Sequence, residues 1–347
     1  MVSTYIPIQH PTTKSKPAKD AVSVRRHAQA KRMISTKNLN TDLWLQYRQS
    51  GVGSSDASTA AGINPFKSQL ELWLEKTGRM VPTQPKMTED SPLTWGTILE
   101  PIVAEQYAKR TENKVRRVNA ILQHSEHTWM LANLDREVVA CEAVQILECK
   151  TAGVHSAKHW KQGVPDYIKL QVMHQLAVTG FEAADVAVLI GGQKLEIHRI
   201  HRDEVLIERL IELEQRFWQH VQDDTPPPLD ASDSCDQALR VLYPEDNDKT
   251  VDLNDDAFAN VTFTELLEIR RQLSFLKEQE SLLKHRLQER MGEHSHARLI
   301  QGAVSWKQTK AVNRLDTQRL KVEQPELYER YLKQSPGPRR FQIHPNN

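Results

Sequence analysis

The chain has 347 residues, of which 39% are hydrophobic and 26% are charged, and its formal net charge at pH 7 is +1. This is the composition of an ordinary globular protein with room for one large domain and a smaller one, and it excludes a wholly disordered chain. Because the charges nearly cancel, bulk electrostatics does not by itself point to a polyanionic partner.

The cysteines are few and their spacing is uninformative. Cys141, Cys149 and Cys235 fit neither a disulfide framework nor a zinc site, which indicates a reducing compartment. The sequence contains no apolar run long enough to cross a membrane and no apolar signal segment near its first residue. We therefore expect a cytoplasmic protein that has no membrane partner.

The first segment of the chain is basic. Residues 1–40 contain eight Lys and Arg residues and a single acidic residue, Asp20, which gives a local charge of +7. They show no hydrophobic period and are predicted to form a disordered arm. Two interpretations of this arm stay open, a solvated tail or a segment that contacts nucleic acid.

A patterned region follows over residues 41–225. Its hydrophobic spacing predicts helices at 99–110, from 165 to about 176 and at 203–222, and strands at 129–140, 145–151, 186–190 and 195–197. Mixed strands and helices of this kind favour an α/β fold, with a central mixed sheet flanked by helices.

The proline run at residues 226–228 is predicted to open a linker that reaches residue 261. A C-terminal module, residues 262–347, is predicted to start with a long helix over 262–292 and to continue as a small α+β unit. That unit has strands at 298–306 and 339–343 around a helix near 316–333.

The long C-terminal helix has two notable features. Thr262 and Glu265 have the spacing of a capping box, which predicts that the helix begins there. Its apolar residues follow a heptad rhythm that Glu280 interrupts. Such a helix can lie on the chain's own surface or form a short coiled coil with a partner.

The strongest candidate for chemistry is Asp135 followed by Glu148 and Lys150. Side chains alternate along a strand, so Glu148 and Lys150 share one face, and a hairpin can bring Asp135 beside them. Two carboxylates and a backbone carbonyl form a hard-oxygen site suited to Mg²⁺ or Mn²⁺. A bound ion of this kind activates water, which Lys150 can orient or deprotonate. The plain alternative is an exposed ion pair on a strand.

Two features lie upstream of this candidate site. Glu100 is predicted to stand at the start of the helix at 99–110, where an acid also interacts favourably with the helix dipole. The glycine-punctuated loop before residue 56 predicts a short helix capped by Ser54 or Ser55. Free N–H groups, a hydroxyl and the nearby Arg48 are features of a phosphate site. A simple helix cap is the alternative.

These pieces, in this order, resemble the YqaJ-type viral recombinase nucleases, the family of lambda exonuclease within the PD-(D/E)xK superfamily. The resemblance covers roughly residues 41–220, and its segments are Arg48 to Asp56, Asn64 to Ser68, Leu72 to Gly78, Trp95 to Glu100, Asn133 to Asp135, Glu148 to Thr151 and Leu170 to Val172. Leu134 stands where the superfamily has its proline. The resemblance implies a restriction-endonuclease-like α/β core.

The resemblance also implies roles for the candidate residues. The metal ligands would be Asp135, Glu148, the supporting acid Glu100 and the backbone carbonyl of Cys149. The catalytic residues would be Asp135 and Glu148, together with Lys150 as the catalytic lysine and Gln171 as the active-site glutamine. Arg48 and Ser55 match the residues that hold the 5′-terminal phosphate of the DNA.

As a function, the resemblance implies digestion of linear double-stranded DNA from 5′ ends with two Mg²⁺ ions. The 3′ single strands that remain would serve annealing-type recombination in a phage or prophage, inside a bacterial or viral host cell. The implied partners are a single-strand annealing protein and further copies of the chain, typically in a trimeric ring. The alternatives are an endonuclease with the same site and a non-catalytic DNA-binding module.

Overall fold

The structure is a computed structural model that describes residues 30–80, 91–333, 337 and 339–345. Most of the basic arm, residues 1–29, lies outside the described residues. The chain divides into two compact units, residues 1–244 and residues 245–347. In the part of the chain that is described, no helix has both the length and the apolar character needed to cross a membrane.

The first unit alternates between strands and helices. Its strands are β1 Lys31–Ser35, β2 Val52–Gly53, β3 Lys114–Arg116, β4 Ala120–Gln123, β5 Met130–Ala132, β6 Arg136–Val139, β7 Ile146–Ala152, β8 Ala183–Ile190 and β9 Lys194–His201. Its α-helices are α1 Thr41–Gln49, α2 Ala57–Ala60, α3 Gln69–Lys76, α4 Pro92–Thr111, α5 Asp166–Thr179, α6 Glu204–Gln222 and α7 Asp233–Leu242. Single turns of 3-10 helix stand at Ser54–Asp56 and Ser156–Trp160.

Two sheets organise this unit. The larger sheet has the strand order β3-β6-β7-β8-β9, in which β7 and β8 are parallel and the other neighbours are antiparallel. The smaller sheet has the order β1-β4-β5-β2, with β2 parallel to β5. A parallel pair requires a crossover connection, and α5 lies in the connection from β7 to β8.

The apolar core covers both faces of the larger sheet. On one face, Ile146 and Val186 share a buried cluster with Leu176 of α5. On the other face, Leu147 shares a buried cluster with Tyr107 of α4. Side chains of β7 therefore alternate between a helix on each side. The predicted α/β core, a central mixed sheet flanked by helices, is confirmed, and its restriction-endonuclease-like assignment stays a prediction.

A fully buried pair fixes α5 against α6. His174 Nδ1 lies 2.8 Å from a carboxylate oxygen of Glu214, and His174 Nε2 lies 2.9 Å from the carbonyl oxygen of Leu131. Burial by itself lowers the pKa of His174, but Glu214 outweighs burial and raises it. Both ring nitrogens face acceptors, so the protonated imidazolium satisfies both contacts.

Two predicted boundaries in the first unit are wrong. Residues 31–35 belong to no disordered arm, because they form β1 and pair with β4. Residues 233–242, predicted as linker, form α7, which buries Cys235 and Ala238 in one cluster with residues of α3. The N–H of Ser68 also donates to the hydroxyl of Ser234 over 2.8 Å. Strand β1 and helix α7 are each stabilised by an element that is distant in sequence, and their own polar sequences do not predict that contact.

The second unit, taken by itself, consists of α8 Ala257–Met291, the hairpin of β10 His296–Leu299 and β11 Gly302–Ser305, and the short helices α9 Thr317–Glu323 and α10 Pro325–Tyr331. The predicted single strand at 298–306 is wrong, because these residues form the end of β10, the turn and β11. The predicted helix near 316–333 is interrupted at Gln324, which has a non-helical φ of −138° before Pro325. Residues 339–343, which the structure describes, form no strand.

The long helix of this unit is confirmed, but its start is not. The side chain of Asp256 caps α8 by accepting a hydrogen bond from the N–H of Ala259 over 2.9 Å. Thr262 and Glu265 therefore lie inside the helix, and residues 257–261 belong to it rather than to a linker. An Asp cap six residues upstream competes with the capping-box spacing and determines where the helix begins.

Candidate active site

A cleft of about 520 Å³ opens in the first unit, and every predicted site residue lines it. It lies between the helices α1, α4 and α5 and the strands β4, β5 and β7. The predicted site residues that line it are Arg48, Ser55, Glu100, Asp135, Glu148, Cys149, Lys150 and Gln171. The structure therefore brings them together, and their roles stay predictions.

Glu148 lies at the centre of this cleft, on β7, and is 2% exposed. Its carboxylate accepts hydrogen bonds from the side-chain amides of Gln171, at 2.6 Å, and Gln175, at 2.7 Å. Lys150 Nζ lies 2.7 Å from Glu148 Oε1 and donates to Gln171 Oε1 over 2.9 Å. Glu148 and Lys150 share one face as predicted, and because Glu148 is buried, the alternative of an exposed strand ion pair is wrong.

Asp135 stands immediately before β6, at the mouth of the β6–β7 hairpin. Arg136 is paired with Leu147 in the ladder. Asp135 Oδ2 accepts a hydrogen bond from the backbone N–H of Cys149 over 2.8 Å. The predicted hairpin thus places the carboxylate of Asp135 beside Glu148. The metal role predicted for the Cys149 carbonyl stays a prediction.

The two acids disfavour each other's charge. Burial raises the pKa of Asp135, and the nearby Glu148 carboxylate raises it further, while Lys150 opposes the rise. Burial alone lowers the pKa of Lys150, but Glu148 and Asp135 outweigh burial and raise it. One ammonium thus compensates two buried carboxylates incompletely. This oxygen-rich, electron-rich donor set fits a hard divalent cation such as Mg²⁺.

Glu100 lies differently from the prediction. Helix α4 begins at Pro92, after the cap Ser91, so Glu100 is in the middle of the helix and has no first-turn interaction with the dipole. Its carboxylate binds the guanidinium of Arg136 at 2.5 Å. Among the described residues, no three His, Cys, Asp or Glu side chains group closely enough to hold an ion by themselves. The supporting role of Glu100 stays a prediction.

The sequence analysis missed two residues of this site. Arg136 binds Glu100 and also donates to the carbonyl oxygen of Asp135 over 2.6 Å, and no sequence pattern marks it. Gln175 follows Gln171 by four residues on α5, and this spacing, which places both on one helix face, was a usable signal. The Oε1 atom of Gln175 is buried and has no hydrogen-bond partner in the described chain. An orphaned acceptor beside Glu148 fits a site that holds ordered water.

The other end of the cleft carries a cluster of charges around Asp56. Arg48 Nη2 donates to Asp56 Oδ1 over 2.8 Å, lies 3.4 Å from the hydroxyl of Ser55, and its guanidinium lies 4.9 Å from the ring centre of Trp44. Lys76 Nζ is 2.7 Å from Asp56 Oδ2. Burial alone raises the pKa of Asp56, but Lys76 and Arg48 outweigh it and hold the pKa well below its usual range. Two cations around one anion leave excess positive charge for a phosphate.

The loop that presents Ser55 depends on Gly51. A Cβ atom at residue 51 would lie 2.3 Å from the carbonyl oxygen of Trp129, which the N–H of Val52 also contacts at 2.7 Å. The 3-10 turn is preceded by Gly53, whose N–H donates to Asp56 over 3.3 Å. The predicted cap by Ser54 or Ser55 is wrong, because the cap position is Gly53, which has no side chain, and both serines lie inside the turn.

Replacing Asp56 by Asn is expected to lower the free energy of unfolding by about 3 kcal/mol, because it leaves the Lys76 ammonium buried without its counterion. Urea unfolding at pH 7, followed by tryptophan fluorescence, measures the loss. The double variant Asp56→Asn/Lys76→Met removes the orphaned charge and should recover most of the stability. A loss below about 1 kcal/mol in the single variant would contradict the importance of this pair.

Comparisons with known proteins agree with the sequence resemblance. A family described as "YqaJ-like viral recombinase domain" matches residues 43–182. The protein described as uncharacterized protein YqaJ of Bacillus subtilis (strain 168) is 36% identical over 308 residues, which cover 87% of this chain and 94% of that protein.

Two solved structures of exonucleases are similar to about half of the chain. The alkaline exonuclease LHK-Exo of Laribacter hongkongensis has a TM-score of 0.45 and 21% identity, over 53% of this chain and 94% of that one. A phage related exonuclease from Haemophilus somnus 129PT has a TM-score of 0.34 and 10% identity, over 52% and 99%. The family match and the Bacillus relative carry the assignment: the chain belongs to the family of YqaJ-like viral recombinase proteins.

Proposed function

We propose that this YqaJ-like protein is a metal-dependent exonuclease that digests linear double-stranded DNA from 5′ ends. It would act as a nuclease, that is, a phosphodiester hydrolase, with DNA as its partner. Its product would be the 3′ single strand that annealing-type recombination uses in a phage or prophage. The observation that carries the proposal is the meeting of Asp135, Glu148 and Lys150 in one cleft.

The acids of the cleft form the proposed metal site. Asp135 and Glu148 would hold Mg²⁺, or Mn²⁺ in its place, with the carbonyl of Cys149 and the supporting acid Glu100. We propose two ions. When bound, such an ion supplies an activated water and neutralises charge on the phosphate. The mutual repulsion of the two buried acids supports this role, because a cation relieves it.

Lys150 and Gln171 would act on the reacting groups. The raised pKa of Lys150 keeps its ammonium charged, and in this form it offsets negative charge that develops on the phosphate. Gln171 accepts a hydrogen bond from Lys150 through Oε1 and donates one to Glu148 through Nε2. It therefore holds the lysine and the acid in a fixed relation across the cleft.

Arg48 and Ser55 would bind the 5′-terminal phosphate, and this feature favours an exonuclease over an endonuclease. Arg48 is 30% exposed in its side chain and lines the same cleft as Lys150. Asp56 holds the guanidinium from one side, so other N–H groups of Arg48 remain for a phosphate. A phosphate anchored here would set which end of the strand enters the cleft.

The direct test compares three duplexes incubated with Mg²⁺: 5′-phosphorylated linear, 5′-hydroxyl linear and closed circular DNA. We expect release of nucleotides from both linear forms, fastest from the 5′-phosphorylated one, and little attack on the circle. EDTA should stop the reaction. Nicking of the circle at a similar rate would indicate an endonuclease, and inactivity with both Mg²⁺ and Mn²⁺ would indicate a DNA-binding module without catalysis.

Replacing Arg48 by Gln is expected to reduce the preference for 5′-phosphorylated over 5′-hydroxyl ends by about tenfold, since it removes a charge-assisted hydrogen bond. Initial rates on the two substrates give the ratio. The control is Arg216→Gln on α6, an exposed residue outside the cleft. Equal slowing on both ends would argue against an end-binding role.

The proposed assembly follows the family. We propose a homo-oligomer, in the form of a trimeric ring around DNA, with a single-strand annealing protein as its partner in the host cytoplasm. Analytical ultracentrifugation with and without duplex DNA measures the number of copies. A monomer under both conditions would rule out the ring.

A further inference from the structure

A second groove of the first unit has been given no role so far. We call it the β3 groove, and it has a volume of about 460 Å³. Its charged and polar walls are Arg32 of β1, Arg116 of β3, Glu137 of β6, and Arg117 and Asn119 of the turn that follows β3. It therefore opens where β3 and β6 of the larger sheet lie beside β1 and β4 of the smaller sheet.

The cations of the β3 groove are not all neutralised. Arg116 is paired with Glu137 at 2.7 Å. Arg32 donates a hydrogen bond to the carbonyl oxygen of Asn119 over 2.8 Å and has no acidic partner among the described residues. Arg117 makes neither a hydrogen bond nor an ion pair with any part of the chain that is described. Within residues 30–80, 91–333, 337 and 339–345, two guanidinium groups of the groove thus lack counterions, which gives the groove a net attraction for anions.

The residue pairing of β3, β6 and β7 shows on which face of the sheet the groove and the active-site cleft lie. Arg116 is paired with Glu137, and Glu137 with Ile146. Paired residues of neighbouring strands project from the same face, and so do Ile146 and Glu148, two positions apart on β7. The ion pair of the groove and the central acid of the cleft therefore share one face of the sheet.

The spacing of residues along β6 gives the distance between the β3 groove and Asp135. Glu137 follows Asp135 by two residues, and a strand advances about 3.3 Å per residue, so their backbones are separated by about 7 Å. Along one strand of duplex DNA, phosphate charges follow one another every 3.4 Å or so of helix axis. The wall of the groove at Glu137 therefore lies within about one to two nucleotide spacings of Asp135.

We propose that the β3 groove binds the phosphodiester backbone of the DNA substrate beside the cleavage site, through Arg32 and Arg117. The inference rests on the proposed function, since it takes DNA as the substrate. Guanidinium groups suit this ligand because their planar N–H pairs match phosphate oxygens. The pair of Arg116 and Glu137 forms the fixed wall between the groove and the cleft.

The test measures DNA affinity of the full-length protein against salt concentration, in EDTA so that no cleavage occurs. Replacing Arg117 by Gln should reduce the slope of log K against log salt by about 0.9 and weaken binding roughly tenfold at 0.1 M salt. Arg117→Glu should weaken it further. Arg216→Gln on α6 makes the same charge change as Arg117→Gln, is exposed, and should behave as wild type.

Each result has a defined meaning. If Arg117→Gln is folded by circular dichroism and binds DNA with the same slope as Arg216→Gln, the inference is wrong. If inorganic phosphate stabilises the wild type but not Arg117→Gln, while the DNA slopes agree, the groove binds free phosphate and not DNA. If the wild type cleaves no DNA but the slope still falls in Arg117→Gln, the groove assignment stands and the proposed nuclease function fails.

Discussion

Replacing Glu148 by Gln is expected to lower the rate of Mg²⁺-dependent DNA cleavage on the order of 10³-fold or more, with DNA binding retained. The variant removes one of the two charges that would hold the ion, at a residue that is 2% exposed and central to the cleft. The amide keeps the size of the side chain and one acceptor oxygen. The measurement is the rate of nucleotide release from 5′-phosphorylated duplex, together with an affinity measurement in EDTA.

Alanine at the same position tests chemistry and folding together. Glu148 is the acceptor for three donors, those of Lys150, Gln171 and Gln175. Glu148→Ala leaves all of them without their carboxylate, so it should abolish cleavage and also destabilise the fold. Glu142→Gln, in the exposed turn between β6 and β7, is the matched control for charge. Normal cleavage by folded Glu148→Gln would overturn the proposed site.

Replacing Asp135 by Asn is expected to abolish cleavage and, in EDTA, to stabilise the protein increasingly as pH rises. The folded-state pKa of Asp135 lies above the ordinary value of 3.8, first because of burial and then because of Glu148. Below pH 3.8 both folded and unfolded states carry the proton, and the wild type suffers no penalty. As pH rises from there through the raised folded-state pKa, the unfolded state gives up its proton first and the folded state loses stability. Asn has no such penalty.

Thermal unfolding of both proteins from about pH 5 to about pH 9 measures this difference. The midpoint of Asp135→Asn minus that of the wild type should grow with pH in EDTA. Mg²⁺ should narrow the gap by stabilising the wild type, because ion binding adds to the stability of the folded state alone. The matched control, Asp223→Asn, lies at the exposed end of α6. If the difference in midpoint between the two proteins shrinks as pH rises in EDTA, burial and Glu148 do not destabilise the ionised Asp135.

The sequence predicted the hairpin and its active face because that information is local. Two-residue alternation assigns Glu148 and Lys150 to one side of β7, and the short turn between the two predicted strands implies that the preceding strand returns beside it. The structure has both features, with Asp135 bound to the N–H of Cys149. The assignment of chemistry to these residues also used the family resemblance, because a carboxylate pair by itself does not identify a substrate.

Features that depend on distant partners were not predictable. Strand β1 is polar and exposed in most of its length, and only its pairing with β4 orders it. Helix α7 lies in an acidic stretch, and its two buried apolar residues, Cys235 and Ala238, can be explained only by their packing with residues of α3. The partner of Glu100, Arg136, is remote in sequence by 36 positions. Local patterns carry no information on such pairings, which tertiary packing selects.

The hydrogen bond from Cys149 to Asp135 has a consequence for insertions and deletions. Strands β6 and β7 are joined by two ladder pairs, whereas β7 runs beside β8 from Ile146 to Ala152. The register of β7 is therefore fixed mainly by β8. The hydrogen bond from the Cys149 N–H holds the Asp135 side chain directly on β7. We therefore expect insertions at the exposed residues 142–143 to leave both acids in place, whereas Val144, which is buried, and Gln145, which binds the backbone of residues 182 and 183, tolerate no such change.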